Sequence, residues 1–163
     1  MIDKAAYTLR IAQANPTQLV VINFELICDF LTEALAAYGT ESILTNEESK
    51  DNFRLYIDKA KDGLQQLIKG LNLDLSIAHD FYEIYRYVHK LLINAYFSLD
   101  KNAVLEALEL MDTLLVGWRE AATQVIDEPP IAGEGPIVYA GLTYSRDGLN
   151  EYIMEGEGRS YQA

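Results

Sequence analysis

The chain has 163 residues, half of them hydrophobic, with 25 acidic against 13 basic side chains and a net charge of −12. That length suits a single domain with enough apolar material for a core, which argues against global disorder. The charge excludes phosphate backbones and anionic lipid as partners unless a basic face is concealed, and the basic residues are scattered singly along the sequence. One cysteine, Cys28, rules out an intrachain disulfide and fits a reducing compartment. Asp3 comes early and the first apolar run follows Pro16, so the order of a signal peptide is missing. No stretch approaches about twenty apolar residues. A cytoplasmic address without a membrane span is expected.

Asn15-Pro16-Thr17-Gln18 is a helix start, with Asn as N-cap and Pro at the first helical position, and it opens a helix over Leu19–Tyr38. Thr45-Asn46-Glu47-Glu48 reads as a capping box before a second helix, whose stripe is Phe53, Ile57, Ala60, Leu64, Leu67, Ile68 and Leu71. A third helix is expected from about Ile77 to Leu99, on the seam Ile77, Phe81, Ile84, Val88, Leu92, Ala95, Leu99. Asp100 then caps a fourth helix carrying Val104, Leu108, Met111, Leu115, Trp118 and Ala122. Similar lengths and short loops predict an all-α fold, an antiparallel up-and-down four-helix bundle preceded by an N-terminal arm, over residues 1–126. From 127 to 163 the composition shifts: Glu128-Pro129-Pro130 stops the helix, and seven acidic and two basic residues give this segment a charge of −5. It is expected to be an extended, partly helical C-terminal tail, with Leu149, Tyr152 and Ile153 at helical spacing, packed on the bundle or on a neighbouring chain.

Some helices carry more apolar surface than a bundle needs, about a 100° sector. On the first, Ile22 and Leu26 lie outside the core stripe centred on Val20, Ile27 and Leu31; on the third, Tyr82, His89, Ile93 and Phe97 form a second stripe; on the fourth, Leu110 and Leu114 lie on a comparable flank. Contiguous surplus of this kind marks a partner surface or a place where another part of the chain lies. The expected site is a groove between the third and fourth helices, lined by Tyr82, His89, Ile93, Phe97, Leu110 and Leu114 and extended by Ile22 and Leu26, for an amphipathic helix. The tail would cover the same surface and compete for it.

Chemistry is hard to find. A di-iron bundle needs Glu-x-x-His pairs, yet Ser76 and Arg86 stand three residues before His79 and His89. There is no phosphate-binding glycine loop and no nucleophile elbow, so no catalytic residue, metal or cofactor is expected. Cys28 reads as an inert thiol at the edge of the core. Asn23 projects into the apolar half of its helix and, if buried, needs a hydrogen-bond partner, either within the bundle or in a client.

Ala14-Asn15-Pro16-Thr17-Gln18-Leu19, Phe24-Glu25, Leu67, Leu71-Asn72, Phe81-x-x-x-Tyr85-x-Tyr87, Leu91, Asn94-Ala95 and Leu115-x-x-Trp118 resemble, in order and spacing over roughly residues 9–125, the flagellin export chaperones of the FliS family. The resemblance implies a cytosolic antiparallel helical bundle without catalysis. Such a protein binds the C-terminal helical segment of new flagellin, prevents premature polymerisation and hands it to the export apparatus. The sequence departs from the family pattern at Gln13, Asn23 and Leu26, in an N-terminal tyrosine motif reduced to Tyr7, in the short loop around Leu73–Ser76 and in the long tail. A paralogue with another client and a structural or regulatory bundle whose groove is filled by its own tail are the alternatives, and the tail also offers a route to a homo-oligomer.

Overall fold

A computed structural model describes residues 2–39, 43–124 and the strand residues 137–139 and 142–144. Its helices are α1 (Lys4–Gln13), α2 (Pro16–Tyr38), α3 (Glu47–Lys69), α4 (Ser76–Ser98) and α5 (Lys101–Gln124). Strands β1 (Ile137–Tyr139) and β2 (Leu142–Tyr144) pair antiparallel, with Val138 opposite Thr143. The stretch expected as an N-terminal arm is therefore a helix. Asp3 caps it by accepting from the Ala6 N–H at 3.0 Å, and its two buried side chains, Tyr7 and Ile11, lie one turn apart.

Local signals set the ends of the long helices. At the start of α2 the Asn15 and Gln18 side chains each accept from the other's backbone N–H, at 2.8 and 2.9 Å, which satisfies two first-turn donors. Gly39, at φ 66°, ends that helix in a conformation that a side chain would resist. The box expected at Thr45–Glu48 is not formed; a single cap one residue later takes its place. Ile43–Thr45 form a 3₁₀ turn, and Asn46 is the N-cap, accepting from Ser49 at 3.1 Å. Between α4 and α5 the link is only Leu99 and Asp100. Leu99 takes the left-handed conformation at φ 53°, and the Asp100 carboxylate accepts from Asn102 and Ala103 at 2.9 and 3.3 Å.

The long helices, each of 23 or 24 residues, close a ring in which α2 meets α3, α3 meets α4, α4 meets α5 and α5 returns to α2. Consecutive members run in opposite directions. Tyr38 at the end of α2 sits edge-on to Phe53 near the start of α3, Arg54 lies over Tyr96, Phe81 packs on Trp118, and Trp118 also stacks on Phe24. These are the contacts of an up-and-down arrangement. On α4 most of the expected seam is kept: Val88, Leu92 and Ala95 are buried and Phe81, Ile84 and Leu99 pack against the core, whereas Ile77 is about half exposed and Ala78 and Tyr85 are buried beside the seam. Tyr85 takes the central place through ring contacts with Phe24 and Phe81.

α2 is enclosed rather than amphipathic. Besides α3 and α5 it meets α1, β1 and β2, and Leu19, Leu26, Ile27 and Leu31 are fully buried. Each such side chain contributes about 1.5–3 kcal/mol of burial energy. Ile22 and Leu26, expected as surplus surface, thus belong to the core at 2% and 0% exposure, because α2 has neighbours that a four-helix count leaves out. The expected tail helix at Leu149–Ile153 lies outside the described residues.

Candidate functional site

Two recesses and one exposed stripe stand out on the helical part. The first recess lies among α1, α2 and α5, has a volume of about 790 Å³, and is walled by Tyr7 and Arg10, by Glu25, Cys28 and Asp29, and by Leu108, Asp112 and Arg119. Tyr7 donates to Asp29 at 2.6 Å; burial, reinforced by this bond to a carboxylate, raises its phenol pKa well above the ordinary range. Arg119 reaches Glu25 Oε1 at 3.0 Å, while Arg10 lies 2.7 Å from Oε2 as an ion pair without hydrogen-bond geometry. Glu25 thereby ties α1 and α5 to α2. Both arginines are about half exposed, so each pair is worth about 0–1 kcal/mol, and the buried contacts of Tyr7 and Ile11 do more to hold α1.

Cys28, on the same wall, is buried, and its thiol is pushed up to about 12 by burial and by the charges of Asp112 and Asp29. Such a shift disfavours the thiolate, the form in which a cysteine acts as a nucleophile.

The second recess, about 390 Å³, lies between α3 and α4. α3 lines it with Gln65, Ile68 and Lys69, and α4 with Tyr82, Arg86, His89 and Lys90. Arg86 sits over the Tyr82 ring at 5.7 Å, and the His89 pKa is lowered by partial burial and by the nearby Lys61 charge. Three cations in one recess correct the expectation that the basic residues are scattered. The antiparallel crossing of α3 and α4 brings Lys69 beside Arg86 and Lys90.

The expected groove residues are divided accordingly. Tyr82 and His89 face the α3 side, in the recess just described, not a groove shared with α5. Further along α4, Ile93 and Phe97 are exposed at 37% and 75%. Leu110 and Leu114 on α5 are half-buried against the core and line neither recess, and Ile22 borders a smaller hollow with Arg10, Gln13 and Ala122. Leu26 lies inside the core. The strands β1 and β2 lie beside α2, while Ile93 and Phe97 stay exposed on α4. Sequence reasoning missed the contacts that hold α1, although Asp3 as a cap and the four-residue interval from Tyr7 to Ile11 signalled the helix itself.

Asn23 is buried, and neither its amide nitrogen nor its oxygen has a hydrogen-bond partner; the same holds for the Tyr85 hydroxyl. The polar contact expected for Asn23 is not formed. Among the described residues no cluster of three His, Cys, Asp or Glu side chains could hold a metal ion, and no helix is long and apolar enough to cross a membrane.

The described residues thus form five helices and one pair of short strands, and the surface of the helical part carries recesses and an exposed apolar stripe. The family model for flagellar protein FliS matches residues 3–125, and the chain belongs to that family. Membership implies a flagellar chaperone role. The match takes in α1 through α5 and begins earlier than the motifs quoted from the sequence. No curated protein matches the chain.

Proposed function

We propose that the protein is a cytoplasmic export chaperone that binds the C-terminal helical segment of flagellin, keeps it from polymerising and delivers it to the export apparatus, with no catalytic step. The observation that carries this reading is the family match over the whole helical part. The apolar stripe of Ile93 and Phe97, lying exposed on α4, supports it, because an amphipathic helix needs such a surface to bury its own apolar face. The proposed client surface is centred on Ile93 and Phe97 of α4, with Tyr82 and His89 toward α3 and Leu110 and Leu114 on α5 as its extensions to either side. Ile22 and Leu26 would join it only after their covering neighbours move. The test is titration of the purified chain with the C-terminal segment of flagellin from the same organism, followed by calorimetry, with a scrambled segment as control. Saturable one-to-one binding is expected; no binding at tens of micromolar would reject the reading.

A second reading, in which the tail fills apolar surface permanently, is favoured by one observation: β1 and β2 lie beside α2. It predicts that the client segment binds neither the full chain nor a chain ending before Glu134. Competition between tail and client predicts instead that the deletion tightens binding.

A further inference from the structure

We propose that the recess between α3 and α4 is a docking subsite for an acidic peptide segment, taking one large apolar side chain whose neighbours in the partner are carboxylates. The inference goes beyond the chaperone reading, which requires only apolar contact.

Three observations carry it. The residues lining the recess include Lys69, Arg86, Lys90 and the partly buried His89 but no carboxylate, in a chain whose net charge is −12. Second, Lys69 and Lys90 are exposed and make no ion pair with any described residue, while Arg86 rests on the Tyr82 ring; these cations are not consumed by the fold. Third, the lining is not purely polar. Ile68 and Tyr82 share it with the cations, so an entering side chain gains apolar contact while its flanks gain charge pairing. Arg86 and Lys90 are one turn apart on α4, so carboxylates spaced by one turn of a partner helix can meet both.

Charge decides the occupant. Elsewhere an acidic surface would repel an acidic peptide, and here the local sign is reversed, so the recess selects against a basic segment of equal hydrophobicity. A nucleic acid would also be attracted by the cations, but it would meet the repulsion of the whole molecule beyond the recess and would gain little from Ile68.

The test uses the full chain and three synthetic 18-residue helical peptides. One carries an aromatic anchor flanked by glutamates, the second has the glutamates replaced by lysines, and the third keeps the glutamates but has alanine at the anchor. Fluorescence anisotropy at low salt is expected to show the first binding roughly five- to tenfold tighter than either of the others, an advantage over the lysine form that shrinks as salt is raised. The double variant Lys69→Glu with Lys90→Glu, both at exposed positions, should lose the preference for glutamate, with helicity by circular dichroism as the folding control. Equal binding of glutamate and lysine peptides, no effect of the double variant, or a short single-stranded RNA displacing the glutamate peptide at equal concentration would each overturn the proposal. The flagellin titration is read separately: a client that binds while the peptides do not discriminate leaves the chaperone reading intact and removes this one, and the reverse outcome does the opposite.

Discussion

Replacing Asn23 by leucine is expected to stabilise the protein. The side chain is fully buried on α2, and both ends of its amide lack a partner. An unpaired buried polar group costs about 1–3 kcal/mol, and Asn23 contributes two. Leucine removes both penalties and adds an apolar side chain to a site among apolar neighbours, while the change of shape from planar amide to branched alkyl returns about 1–3 kcal/mol as strain. The net is a gain of about 2–4 kcal/mol, or on the order of 5–15 °C in melting temperature for a chain of this size. Thermal unfolding and urea titration measure it, the latter with an unchanged slope if only the native state is affected. Tyr85, whose hydroxyl is also buried and unpartnered, supplies the internal comparison: Tyr85→Phe should be neutral or stabilise by about 1–2 kcal/mol. If each orphan is independent, the two changes add within about 0.5 kcal/mol, and a larger coupling reveals a water or a rearranged hydrogen bond shared between them. A destabilised Asn23→Leu variant would refute the reasoning, because it would mean that the amide is paired in solution.

Ile93→Asp should weaken the flagellin segment by about 2 kcal/mol or more, near thirtyfold, while the midpoint of urea unfolding moves little, since this side chain is already exposed; a variant that unfolds would make Ile93 a core residue. Cys28 should react with iodoacetamide at pH 7.5 at least about a hundredfold more slowly than a free thiol and regain full reactivity in denaturant, because its thiol is pushed up to about 12. His89 favours its neutral form in the folded state, so the unfolded chain binds its proton first as the pH falls. Stability should therefore decline as pH drops from about 6.5 through the lower folded value, a component that His89→Gln removes when unfolding is measured between pH 7.5 and 5.

The long helices are legible in the sequence because their signals are local. Asn15 with Gln18 and Asp100 with Ala103 act within one turn, and the stripe from Phe53 to Leu67 keeps its spacing in the folded state. Errors arise where the decisive neighbour is distant. Thr45 and Asn46 both fit an N-cap, and the 3₁₀ turn at Ile43–Thr45 decides between them. On α4 the expected seam is kept at Val88, Leu92 and Ala95, but near its start Ala78 is buried in place of Ile77, and Tyr85 turns inward onto the rings of Phe24 and Phe81. Lys69 and Arg86 are far apart in sequence, so no window along the chain shows the basic recess that the helix crossing creates.

α2 shows most clearly what amphipathicity can and cannot say. Its excess of apolar residues correctly signals that Ile22 and Leu26 are covered, but periodicity carries no information about whether the cover is another molecule or the same chain. The polar sector misleads in the opposite direction. Glu25 and Asp29 look like a solvated face on a helical wheel, yet they receive Arg10 and Tyr7 from α1 and Arg119 from α5. These polar contacts orient α1 and α5 on α2, while the burial of Tyr7 and Ile11 does more to hold α1 in place. The apolar flank of α4, where Ile93 and Phe97 are exposed, has no such cover among the described residues, and that difference between α2 and α4 is the reason the proposed client surface is centred on α4.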